Sequence, residues 1–109
     1  MDNGSKHAGF DPSDMDELLH HPIRLAIITA LSQVDTGDFN WLKEIARATD
    51  GNLASHLRKL EDAGYITVTK TFIGRKPSTI YALSEQGRVA LMNYMQMLSV
   101  IVKQFEKDT

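Results

Sequence analysis

Asn52, Ser55, His56, Arg58 and Lys59 lie close together in the chain, and Arg75 and Lys76 follow across a gap, so amides, a hydroxyl, an imidazole and fixed positive charges are concentrated in its middle. An Asn side chain bonds two atoms of an adenine edge and an Arg two atoms of a guanine edge. A Ser hydroxyl either gives or takes, whereas Lys and Arg hold phosphate oxygens without regard to sequence. This is recognition chemistry. Nothing in the chain supplies bond-breaking chemistry: no nucleophile, base and orienting group share a usable spacing, no glycine-rich phosphate loop or carboxylate pair stands out, and the neighbours Ser55 and His56 diverge on a helix. The expectation is a binding protein and not an enzyme.

These side chains gain meaning from the element that must hold them. Residues 49–65 read as one amphipathic helix: with Leu53 at zero and about 100° per residue, Leu57, Leu60 and Gly64 return to within roughly 40°, while Asn52, Ser55, Arg58, Lys59 and Asp62 fan out opposite. Thr49 or Asp50 supplies the N-cap, and Gly64 stands where the helix needs a left-handed stop. Asn52 and Ser55 lie nearest the helix start and are the candidates for base edges, together with the flanking His56. His56 sits about 60° from Leu53, a position that equally suits a half-buried structural group. Arg58 and Lys59 suit phosphates. Lys43, in the preceding helix, is a further phosphate candidate.

Charge distribution agrees with that assignment better than net charge does. The 109 residues carry a formal charge of -2, whereas nucleic-acid binders are normally basic. Residues 1–40 hold two basic side chains against seven acidic ones, residues 41–83 seven against four, and residues 84–109 three against three. The positive charge is concentrated where the candidate reading helix lies.

The remaining elements follow from periodicity. Residues 1–10 read as a flexible arm, and Asp11-Pro12-Ser13 as the start of a short helix bearing Met15, Leu18 and Leu19 that ends near His21. Pro22 opens a core helix carrying Ile23, Ala26, Ile27, Ala30, Leu31 and Val34. After a loop at 35–38, residues 39–48 form a third helix with Asn40 as cap and Leu42, Ile45 and Ala46 facing inward. Beyond Gly64 the period falls to 2. The runs 65–72 and 78–83 make a β-hairpin whose tip, Ile73-Gly74-Arg75-Lys76-Pro77, is basic. Arg75 and Lys76 there suit a phosphate or the minor groove. Ser84 caps a last helix over about 85–106.

The order helix, helix, turn, amphipathic helix, basic-tipped hairpin gives a mainly α fold with a small β-hairpin. Its motifs are Leu19-His20-His21-Pro22-Ile23-Arg24-Leu25-Ala26-Ile27, then residues 50–65, then Gly74-Arg75-Lys76-Pro77 with Tyr81-Ala82-Leu83-Ser84 and Gly87. Through them the chain resembles the winged helix-turn-helix transcriptional regulators of the MarR and ArsR type over about Leu18 to Met97. The resemblance implies a dimeric repressor or activator bound to double-stranded DNA, with a reading helix at about 50–63 and a wing at about 70–80; the absence of cysteine makes the cytoplasm the expected compartment. On this reading residues 11–83 form the winged-helix domain and residues 84–109 a dimerisation helix packed on it. The chain contains no cysteine, so the thiolate metal sites of many ArsR-type proteins have no counterpart. No cofactor is expected. His20 and His21 are adjacent and lack the spacing of helical metal ligands, so no metal site is expected either.

Dimerisation has its own sequence argument. Leu91, Met95, Leu98, Val102 and Phe105 recur at spacings of 4, 3, 4 and 3, a coiled-coil rhythm, and Ala90, Tyr94, Met97 and Ile101 widen the apolar face. A helix of about 22 residues spans roughly 33 Å, more than a winged-helix core covers, so its distal half needs a partner chain. The methionines Met92, Met95 and Met97 leave room for a small apolar effector between helices. No apolar run is long enough for a membrane span, and no membrane partner is expected. The rival reading is a winged helix that binds protein or a small molecule without direct DNA contact, since this fold does not dictate its use.

Overall fold

Pro22 lacks an N–H to leave unmet and has its φ preset, so it opens the first regular helix, with the preceding His21 as N-cap. The computed structural model describes residues 11–108, so the arm expected at 1–10 lies outside the described residues. Helix α1 spans Pro22–Leu31, α2 Phe39–Ala46, α3 Asp50–Asp62 and α4 Glu85–Asp108. Strand β1 is Gly37–Asp38, β2 is Ile66–Ile73 and β3 is Lys76–Leu83, forming an antiparallel sheet in the order β1-β3-β2. The fold is a winged helix: helices α1, α2 and α3 packed against the base of a two-strand wing, with a long helix behind.

Leu53, Leu57 and Leu60 of α3 join Ile27, Ile28 and Leu31 of α1, Leu42 of α2, Ile66 of β2 and Tyr81 of β3 in one core. Each fully buried leucine contributes about 1.5–3 kcal/mol by its apolar area, as an upper estimate. The wing shares this core only at its base. Beyond Val68 on one strand and Thr79 on the other, the strands run out mostly exposed to the tip, with only the paired Thr71 and Ser78 half-buried.

Several expectations fail locally. The helix expected from Asp11 is a single 3-10 turn, Pro12–Asp14, followed by a turn over residues 17–19. The Asp16 carboxylate accepts from the backbone N–H groups of Leu18 (2.9 Å) and Leu19 (3.1 Å), a local bonding pattern that competes with helix propagation. Leu19 is nevertheless buried. Val34 lies beyond the end of α1 and is exposed, whereas Ile28 is fully buried, because α1 is covered on more than one side. Helix α2 is capped by Asp38, whose Oδ1 accepts from Trp41 N at 2.8 Å, and not by Asn40, and it ends at Ala46. Ile45 is exposed, and Trp41 packs in its stead. A Cβ on Gly37 would stand 2.5 Å from Cε3 of Trp41, so the indole takes the space a side chain would need.

Residues 37–38, expected as loop, pair with Tyr81 and Ile80 of β3. The hairpin tip is also tighter than expected. Ile73 and Lys76 pair directly, leaving Gly74-Arg75 as a two-residue turn, and positive φ at Gly74 with none at Arg75 fits type II′. Pro77 is tolerated in β3 because it sits opposite Phe72, next to the closing pair, where its missing N–H would face away from β2.

Candidate nucleic-acid interface

Helix α3 is bounded as its sequence demands. Thr49 Oγ1 accepts from Asn52 N at 3.2 Å, and Gly64 takes a left-handed φ of 81° after the last turn. With Leu53, Leu57 and Leu60 held in the core, Asn52, Ser55, Arg58 and Lys59 are all exposed. Gly51 and Ala54 are exposed among them, and a Cβ on Gly51 would meet nothing within 4 Å. The outer face is thus low at its start and charged further along, which lets a flat ligand approach the backbone closely.

The other expected residues have more specific surroundings. Lys43 Nζ lies 2.7 Å from Asp50 Oδ1, both exposed, which ties α2 to the first turn of α3 and partly neutralises the ammonium. An exposed pair of this kind contributes at most about 1 kcal/mol. Arg75 occupies the wing turn and Lys76 begins β3, both exposed. His56 is half-buried: its Nδ1 lies 3.0 Å from an Arg24 terminal nitrogen, and its ring centroid is 4.4 Å from that of His21. Burial, and then the charges of His21, Arg24 and Lys59, push the His56 pKa below its ordinary value.

Some residues of this surface escaped the sequence reading. Arg47 caps α2 with a left-handed φ of 53°, and its exposed side chain extends from the turn between α2 and α3. Its unusual backbone had no composition signal, since glycine is the residue expected there. Phe72 and Ile73 stand exposed beside the wing tip. Arg24 did have a signal, being a lone charge in the apolar run Pro22-Ile23-Arg24-Leu25-Ala26-Ile27.

Behind α3 the chain is firmly tied. The Tyr65 hydroxyl donates to Asp16 Oδ2 at 2.6 Å, and burial, helped by that bond and by the carboxylate charge, pushes its pKa up to about 12. His20 Nδ1 lies 2.9 Å from the Tyr94 hydroxyl, joining the segment before α1 to α4. On α4, Tyr94 and Met97 are buried in the chain's own core, so they do not widen an outward face as expected. Met95, Ile101, Val102 and Phe105 are exposed, Phe105 by 70%, and Leu91 and Leu98 are half-buried. Met92 and Met95 face out while Met97 faces in, so the three methionines do not line one site. The distal half of α4 projects from the core, which gives the described chain extents of 63 × 25 × 23 Å.

Comparison with known proteins agrees with this architecture. Residues 23–102 match the family described as winged helix DNA-binding domain. The chain is 34% identical over 90 residues to an uncharacterised protein of Methanocaldococcus jannaschii, covering 83% of this chain and 98% of that one. Among solved structures it is similar to a transcriptional regulator homologue from Pyrococcus horikoshii OT3, with 26% identity, a TM-score of 0.76, and coverage of 83% of this chain and 89% of that one. It also shares its fold with PadR of Bacillus subtilis, solved in complex with operator DNA, at 21% identity and a TM-score of 0.62 over 69% of this chain and 47% of PadR. The chain belongs to the winged-helix DNA-binding domain family, and transcriptional regulators are among its structural neighbours. No helix among the described residues is long and apolar enough to cross a membrane.

Proposed function

We propose that the protein is a homodimeric, sequence-specific regulator of transcription that lays the exposed face of α3 in the major groove of duplex DNA. Asn52 and Ser55 then meet base edges, Arg58 and Lys59 meet phosphates, and Arg75 and Lys76 reach the flanking backbone or minor groove from the wing. Lys43 and Arg47 serve as further phosphate contacts at the turn. The observation that carries this reading is the division of α3: three leucines fixed in the core and a polar, basic face left exposed on a helix bounded at both ends. The operator complex of PadR shows a protein of this fold bound to DNA and supports the same use here.

The dimer is inferred from α4. Met95, Val102 and Phe105 are exposed along its projecting length, and an apolar stripe of that kind is stable in water when a second copy covers it. A two-fold axis through paired α4 helices presents two copies of α3 to half-sites about 34 Å apart. The role is regulatory and not catalytic, and its place of action is the cytoplasm, with the DNA.

Fluorescence anisotropy with duplex DNA across a salt series tests the proposal. Affinity should fall linearly on logarithmic axes, by about a thousandfold between roughly 50 and 200 mM salt if six phosphates are contacted. Absence of binding to any duplex at low salt contradicts it and favours a protein-binding use of the fold.

A further inference from the structure

Arg24 stands where α1, the segment before it and α3 converge. A guanidinium can only donate, and this one donates from Nε to the Leu18 carbonyl oxygen at 2.6 Å and from a terminal nitrogen to His56 Nδ1 at 3.0 Å. His56 Nδ1 therefore accepts, so the ring is neutral and carries its proton on Nε2. The same logic applies to His21, whose Nδ1 accepts from the Ile23 backbone N–H at 3.2 Å as the N-cap of α1. Two histidine rings 4.4 Å apart thus each commit a lone pair to a group that can donate but not accept.

We infer that His21, Arg24 and His56 form a proton-sensitive lock on the seating of α3 against α1, and that opening it on acidification weakens DNA binding. The inference rests on α3 being the DNA-reading element.

A proton on His56 Nδ1 removes the acceptor that ties Arg24 to α3. It also adds a positive charge at a joint that is already basic, since the charged or titratable groups acting on His56 are His21 from the segment before α1, Arg24 from α1 and Lys59 from α3 itself. The lowered pKa of His56 agrees with a pocket built for the neutral ring. Arg24 acts here as a positioning residue, holding α3 at a fixed angle without touching DNA. Phosphate attraction alone gives the opposite sign, because extra positive charge near the interface strengthens binding as pH falls. The direction of the pH dependence therefore separates a lock from simple electrostatics.

The test combines ring-nitrogen NMR of the free protein with duplex binding at constant ionic strength. At about pH 7.5 the His56 ring should be neutral with the proton on Nε2. A His56 ring found charged, or protonated on Nδ1, overturns the lock even if DNA binds. Affinity should fall severalfold between roughly pH 8 and pH 5.5, the direction expected when the open state takes up a proton that the DNA-bound state excludes. His56→Asn, which keeps an acceptor but cannot take the proton, should flatten that profile whatever it does to affinity at the upper pH. Arg24→Lys keeps the charge but loses the forked pair of bonds, and should both weaken binding at about pH 8 and reduce the slope. Affinity that stays constant or rises on acidification, or a His56→Asn slope equal to that of the unmodified protein, overturns the proposal. If no duplex binds at about pH 8, the DNA reading itself fails, and the ring spectra still decide separately whether the lock exists.

Discussion

The Ser84 hydroxyl donates to the Gly64 carbonyl oxygen at 2.6 Å and accepts from Gly87 N at 2.9 Å, so one side chain joins the stop of α3 to the start of α4. The Ser84 N–H also donates to the Tyr65 carbonyl oxygen at 3.0 Å, on the adjoining residue. The reading helix and the projecting helix are therefore fixed to each other at one corner. Replacing Ser84 with Ala removes the N-cap of α4 and leaves the Gly64 carbonyl without this donor. We expect a loss of about 1–2 kcal/mol in denaturant unfolding.

Gly87 lies at the same corner. A glycine inside a helix ordinarily gains about 1 kcal/mol on replacement by Ala. Here a Cβ would run into the Tyr65 carbonyl oxygen and come within 2.8 Å of Leu83 Cδ1. Gly87→Ala should therefore destabilise, by roughly 2 kcal/mol, because backbone and not a flexible side chain must give way. A stabilised variant in thermal unfolding would show that α4 does not pack as closely as described.

Stability should also depend on pH through His56. Its folded pKa lies below the unfolded value of 6.5, so the unfolded chain binds more protons in the window beneath that value. The contribution is complete above about pH 6.5 and is lost as pH falls toward the folded pKa. Urea unfolding at a series of pH values should show this decline, and His56→Asn should reduce it. A wild-type stability that increases on acidification through the same window contradicts the neutral, half-buried assignment.

The dimer is tested on α4 at a residue that the chain's own core does not use. Val102 is 52% exposed, so Val102→Glu leaves the monomer fold intact while placing a charge in the expected seam, whereas Leu98 is half-buried and confounds the two effects. Sedimentation should give the unmodified chain twice its 12.2 kDa mass and the variant the single mass. Equal masses would remove α4 from the interface.

Most of α3 was legible in the sequence because three kinds of signal coincide there: leucines at helical spacing, a Thr before the first turn and a Gly after the last. The hairpin was legible from its change of period. What escaped depends on contacts that spacing does not show, one of them local and the others between distant residues. Asp16 is an ordinary acidic residue until its carboxylate takes the Leu18 and Leu19 amides, and β1 is too short to show alternation, existing only because β3 lies beside it. Tyr94 and Met97 fit an outward apolar face equally well by spacing, and only the placement of α4 against the core turns them inward. His56 was ambiguous on the helical wheel for a physical reason, since the flank of α3 that carries it is covered by Arg24 and His21.

Selection of bound duplexes from a random pool, run in parallel with the unmodified protein and Asn52→Ala, tests the DNA-reading assignment of α3 most directly. An enriched pseudo-palindrome is expected, its half-sites about one helical turn apart, with Asn52→Ala losing preference at one position in each half-site and costing about 1–3 kcal/mol there. A pool that shows no enrichment, or an Asn52→Ala motif identical to that of the unmodified protein, would contradict that assignment.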